Sequence, residues 1–262
     1  AQSGLLRDGL TGATRPVLQI TNGNPDQVAL VLPAASTVAT LLSRCQSGDS
    51  SVVIDSVGGA SIQSGDLVLL SDYQNGVLLP VAGRGGGLLS GVSVSTLVLA
   101  GSALLPTTYA AGSIVLPMTS LTYSVRPGDA MLLPGVSLFV VDEGVYLGRT
   151  GARTGPLAEN IVDLEIAVGI DGLNGFPIDG QLRENGAAAN DDEWAQNVAG
   201  EALPAGATIM ALRVTLVGRG ASPMDRLGPG RPAAEDRPAG APDAFRYRAL
   251  TETVAVRNLN LR

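Results

Sequence analysis

The chain has 262 residues, a formal net charge of −7, no histidine, no lysine and a single cysteine, Cys45. That composition excludes Ser-His-Asp and Cys-His centres, Schiff-base and Walker-type lysines and a zinc site of the usual ligand type. Hydrophobic content of 45% with 3% aromatics requires a core of Val, Leu, Ile and Ala, and 34 Gly and 16 Pro without period predict many turns between short β elements.

Residues 1–15 set Leu5, Leu6 and Leu10 at near-helical spacing ahead of Pro16, and predict the last turns of an amphipathic helix ended by the proline. From about 28 to 148 the text is a series of short apolar runs, such as 28–32, 52–57, 67–73 and 77–81, separated by turns. Asn75-Gly76 between the last two predicts a type I′ hairpin, because both residues tolerate positive φ. A second hairpin is predicted where 136–141 and 145–147 flank Asp142-Glu143-Gly144. The stretch Leu67-Val68-Leu69-Leu70 is apolar on both alternating faces, so its strand should be covered on both sides. Cys45 reads as a small buried side chain, and Arg84 within Gly83-Arg84-Gly85-Gly86-Gly87 as part of a flexible loop rather than a phosphate cradle.

Two later strands show cleaner alternation. In 161–168 the residues Val162, Leu164, Ile166 and Val168 share a face and Asp163 and Glu165 point away; in 208–217 Met210, Leu212, Val214 and Leu216 oppose Arg213 and Thr215. Both predict a sheet with one wet face. A third strand is predicted over 245–258, with a bulge near Ala249 where the apolar parity shifts. The connection at 171–193 is polar, and Trp194 after it should anchor the chain on the core. Residues 220–243, with five prolines and four glycines, predict a long mobile surface loop.

Charge is uneven: 159–201 carries ten acids against the lone Arg183, whereas 202–262 is +4. Asp171, Asn174 and Asp179 offer oxygen ligands that calcium would accept, although their spacing is not that of an EF-hand and a solvated acidic loop is the plainer reading. Arg219, Arg226, Arg231 and Arg237, with Arg149 and Arg153, lie in or beside loops where DNA phosphates could be reached. The net negative charge argues against DNA as a whole-surface partner. A glycosidase would need two carboxylates across a sugar cleft and, usually, aromatic platforms that this chain scarcely has, so no residue is assigned a catalytic role.

The C-terminal third carries a family resemblance. Arg149, Gly155-Pro156-Leu157-Ala158-Glu159-Asn160-Ile161-Val162-Asp163-Leu164, then Gly169-Ile170-Asp171-Gly172, Ala211-Leu212-Arg213-Val214-Thr215-Leu216-Val217 and the closing run from Tyr247 to Leu259 resemble, in that order, segments of PilW-like minor pilins of type IV pilus systems. Tyr146-Leu147-Gly148-Arg149 fits more loosely. The resemblance implies an α+β, pilin-like fold: a truncated N-terminal helix packed on an antiparallel sheet, with an enlarged β-rich insertion. The expected divisions are 1–35 (end of the helix and first strand), 36–148 (β-rich region) and 149–262 (C-terminal sheet with loops at 171–193 and 220–243).

It further implies a structural, non-enzymatic subunit that primes or caps pilus assembly. Its partners would be other minor pilins and the major pilin, with DNA taken up in natural transformation as a further cargo. The location would be the cell surface or periplasm, with anchorage in the inner membrane through the apolar half of the helix, missing from this segment. The readings from other classes are a secreted β-rich binding module, such as an adhesin or phage fibre domain, and a carboxylate-dependent hydrolase with a deep acidic cleft.

Overall fold

The computed structural model describes residues 5–9, 11–34, 37–100, 105–128, 135–143, 154–184, 192–197, 201, 203–204, 207 and 209–256. Where a helix was expected over 1–15, the described residues form a hairpin: β1 (Leu5–Asp8) runs antiparallel to β2 (Thr14–Pro16), with Arg7 opposite Thr14. Asp8 makes the turn. Its N–H donates to Ala13 O at 2.8 Å, its carbonyl accepts from Gly12 N–H at 2.8 Å, and its Oδ1 accepts from Thr11 N–H at 3.1 Å. Three leucines were too little to hold a helix across Gly9 and Gly12, each of which costs about 1 kcal/mol there.

The α+β expectation is therefore corrected. The described residues are nearly all β, and none of their helices reaches seven residues; the two present are the single 3-10 turns Gly58–Ser61 and Leu173–Gly175.

The larger sheet adds β3 (Leu18–Thr21), β4 (Gln27–Pro33), β5 (Ala39–Thr40), β6 (Ser51–Asp55), β7 (Leu67–Ser71), β8 (Gly76–Leu89), β9 (Val92–Leu99), β10 (Ile114–Pro127), β11 (Ser137–Glu143) and β12 (Thr154–Glu159). Pairing is antiparallel except between β1 and β8. Six strands close on themselves in the order β6, β9, β8, β7, β10, β5, and the bridge between Leu41 and Ile54 returns the ring to β6. The barrel interior is the aliphatic core that composition requires: Leu41, Val52, Ile54, Val68, Leu70, Val77, Leu79, Val81, Leu97 and Val115, with Cys45 and Tyr109 at one end.

The strand at 67–71 is indeed covered on both sides: Val68 and Leu70 face the barrel, whereas Leu67 and Leu69 pack with Leu6, Val31, Leu78 and Met118 outside it. The β7–β8 hairpin forms, but not around Asn75-Gly76. Gly76 is already in the ladder opposite Ser71. Asp72 organises a longer turn by accepting from Gln74 and Asn75 N–H, and Tyr73 takes the positive φ of 70°. Arg84 lies in a strand, not a loop, and donates to Ser95 Oγ and Ala60 O. In the second hairpin β11 runs on through Asp142 and pairs with β12; the expected return strand at 145–147 lies outside the described residues.

The smaller sheet contains β13 (Ile161–Ile170), β14 (Trp194–Ala195), β15 (Ile209–Arg219) and β16 (Tyr247–Ala255), in the order β14, β13, β15, β16. Its apolar face meets the larger sheet, and Ile20 of β3 packs among Val168, Ile170 and Leu212. Asp26, in the turn before β4, ties the two sheets at the backbone. Its N–H donates to Leu164 O at 2.9 Å, and its Oδ2 accepts from Ile166 N–H at 2.8 Å. The register between β15 and β16 runs without a break from Arg219–Tyr247 to Ala211–Ala255, so the expected bulge at Ala249 is absent. Beyond Tyr247 the whole of β16 is exposed, and neither parity had to be apolar.

Candidate functional site

The polar face of the smaller sheet was expected to be wet, yet Asp163 and Glu165 on β13 have no exposed surface at all. The roof is the segment 220–243. It forms no strand, as its prolines predicted, but it is pinned rather than loose. Gly230 turns the chain at φ 81°, Gly240 N–H donates to Arg231 O at 2.8 Å, and Ala234 and Arg237 exchange backbone hydrogen bonds of 3.0 and 2.8 Å around Glu235-Asp236. This strap lowers its tip onto the sheet.

Polar side chains hold the tip. Arg231 Nη1 donates to Asp163 Oδ2 at 2.7 Å, and Arg237 Nη1 to Asp163 Oδ1. Arg213 on β15 donates to both carboxylate oxygens of Glu235, through Nε at 3.0 Å and Nη2 at 2.7 Å, while its Nη1 reaches Glu184 at 2.5 Å and its guanidinium stacks 4.5 Å from the Trp194 ring. Asn22, from the turn that also holds Asp26, donates to Asp236 Oδ2 at 2.9 Å. Bidentate arginine pairs of this kind fix direction as well as distance.

Glu165 is the exception. Neither Oε accepts a hydrogen bond, and the nearest cation is Arg237 Nη1, 3.6 Å from Oε1. Burial pushes its carboxyl up to about 9; a hydrogen bond that only the protonated form can donate to Asp163, and the charges of Asp163 and Asp26, act in the same direction. At neutral pH this favours the uncharged acid at Glu165. Burial also raises the Asp26 carboxyl, against the N–H groups of Gly23 and Ile166 that favour its charge. Beside the strap an open cleft of about 610 Å³ is floored by Arg213, Thr215 and Thr251 and walled by Glu184, Asp192 and the strap tip.

The four arginines considered for DNA are dispersed in role. Arg231 and Arg237 are engaged with Asp163. Arg219 lies 4.6 Å over the Phe245 ring and donates to Gly135 O at 2.6 Å, and Arg226 is exposed. Arg149 and Arg153 lie outside the described residues.

In the acidic loop, Asp171 accepts from the N–H groups of Asp179 and Gly180, Asn174 donates to Asp192 O, and Asp179 pairs with Arg183, which lowers its carboxyl. The fully buried Glu193 accepts from Gly172 N–H, Arg183 N–H and Arg183 Nη1. As to calcium, the carboxylates of Asp171 and Asp179 are already committed to donors within the loop, and among the described residues no group of three or more His, Cys, Asp or Glu is arranged to hold a metal.

Sequence reasoning missed Asp26, Asp163, Glu165, Arg213 and Glu235 as one cluster. The available signal was the complementarity of a −9 segment followed by a +4 segment, read there as two surface features rather than as two halves of one contact. No protein-family description, no curated protein and no solved structure matches this chain.

Proposed function

We propose that this chain is a non-catalytic structural subunit of a surface fibre, a PilW-like minor pilin that helps prime or cap type IV pilus assembly through contacts with other minor pilins and the major pilin. One observation carries the reading. The segments that bear the resemblance are scattered between 155 and 256, yet most of them meet in the smaller sheet: the start of β13, the turn that ends it, then β15 and β16, with only the 155–159 segment lying in β12 of the larger sheet. Chance likenesses have no reason to gather in this way. Asp163 and Glu165 support the absence of chemistry, since with the strap seated neither carboxylate is open to a substrate.

An in-frame deletion of the gene in its host tests the proposal. Surface fibres, counted by electron microscopy, are expected to fall sharply and to return on complementation; fibres normal in number and length overturn it. The all-β architecture favours a second reading, a secreted binding module of the adhesin or phage-fibre kind. That reading expects the deletion to leave fibres intact and to remove attachment to a surface.

A further inference from the structure

β16 is the outer strand of the smaller sheet, and among the described residues no strand pairs with its far side. Natural edge strands are usually protected by charged side chains, lysine above all, by proline, by a bulge or by brevity. β16 has no lysine, proline or bulge, and its two charges, Arg248 and Glu252, are of opposite sign; its nine residues run in unbroken register with β15, eight of them exposed, with Leu250 and Val254 at 67% and 51%.

The flanking bonds reveal which backbone groups remain available. Gly220 N–H donates to Arg246 O, and Val256 N–H to Met210 O. Even-numbered residues therefore turn their N–H and C=O toward β15, and the odd-numbered ones, Tyr247, Ala249, Thr251, Thr253 and Ala255, turn theirs outward. The even-numbered side chains Arg248, Leu250, Glu252 and Val254 form one face. Arg248 and Glu252 sit about 13 Å apart along the strand, too far to meet. Neither side chain makes a hydrogen bond or ion pair among the described residues.

We infer that β16 pairs antiparallel with β16 of a second copy of this chain, about a two-fold axis at Leu250. The sequence of the face is self-complementary in that register. Arg248 falls opposite Glu252 of the second copy, twice by symmetry, and Leu250 opposite its own counterpart. These are non-hydrogen-bonded positions, where side chains approach most closely. Ala249 and Thr251, Tyr247 and Thr253 then exchange about eight ladder hydrogen bonds across the axis. Other centres are worse: an axis at Thr251 sets Leu250 against Glu252, and one at Glu252 sets like charges face to face. The result is a continuous eight-stranded sheet, with closed symmetry rather than an open filament. It holds under either reading of the function.

A strand edge is a small interface, so the equilibrium belongs in the micromolar range or weaker. Sedimentation of the 262-residue chain from about 10 to 500 µM should show a reversible monomer–dimer equilibrium. Glu252→Arg and Arg248→Glu should each move its midpoint at least roughly tenfold higher, because every exchange counts twice across the axis. The double exchange should restore it, and circular dichroism should be unchanged in all three. A monomer throughout overturns the inference. So does a dimer indifferent to the single exchanges, a double variant no stronger than the singles, or growth into open-ended assemblies.

Discussion

Glu165 sits in the interior of the strap contact with neither oxygen accepting a hydrogen bond, a position that only its protonated form occupies cheaply. The consequence for stability has a definite sign. Its pKa rises from an ordinary 4.5 to about 9 in the fold, so the folded chain holds the proton more tightly than the unfolded one. Stability from this group is complete below about pH 4.5, declines as pH rises and is fully lost above about pH 9. Asp26, also raised, adds slope of the same sign. Glu165→Gln keeps a neutral donor beside Asp163 and removes the titration. Urea midpoints of the variant should fall less than those of the parent between pH 5 and 9, and the gap should widen toward the alkaline end. An identical slope would show that Glu165 is ionised in the fold. This residue was visible in the sequence only as the polar half of an alternating strand. Whether such a residue meets water or a lid is decided by residues about 70 positions further on, which pattern reading does not reach.

At the level of elements, the strap is held by charge pairs more than by apolar contact, and its hold can be weakened at defined points. Arg237→Ala leaves Asp163 with Arg231 but removes the cation nearest Glu165. The loss should be about 2 kcal/mol, below the 3–5 expected when a buried charge is stranded alone. Limited proteolysis within 220–243 should accelerate while cleavage elsewhere does not. Gly230→Ala acts on the same element through the backbone. Its φ is 81°, and an added Cβ would collide with the carbonyl of Ala241, so the strap must shift. About 2 kcal/mol or more should be lost in thermal or urea unfolding, with the same rise in cleavage; unchanged stability would mean the turn is not fixed. The strands β7, β8, β13 and β15 were legible because period-two patterns or doubly covered apolar runs dictate them. The N-terminal hairpin was not, because three leucines fit both periods and its decisive contacts, β1 with β8 and the turn at Asp8, are tertiary or local. The strand at β16 was legible, but its straightness was not: an exposed strand tolerates any parity, so a shift in apolar order carries no geometric meaning there.

At the scale of the whole molecule, the described residues form a twelve-stranded sheet, six of whose strands close into a barrel, and a four-stranded sheet packed against it, and Asp26, in the turn between β3 and β4, ties the two sheets at the backbone. Barrel closure was not readable in the sequence, since it depends on the two-residue β5 and a single bridge from Leu41 to Ile54 across a ring of long-range pairs. The tie was hidden for a related reason: a carboxylate in a turn before β4 looks like any surface aspartate until β13 is set beside it. Its side chain completes the ladder where β13 has no strand partner, accepting from Ile166 N–H, and it holds its own turn by accepting from Gly23 N–H at 2.8 Å. Asp26→Ala strands both donors, at about 1–3 kcal/mol for a buried one. The loss should be local as well as global. Amide exchange at Ile166 should quicken well before that of Leu79 or Val115 in the barrel, because the sheet edge opens without the ring being breached. Uniform acceleration of all three amides would mean instead that barrel and sheet unfold as one unit, with Asp26 contributing to that unit as a whole. Asp26→Asn, which keeps an oxygen for Ile166 and cannot ionise, should restore slow exchange at that amide.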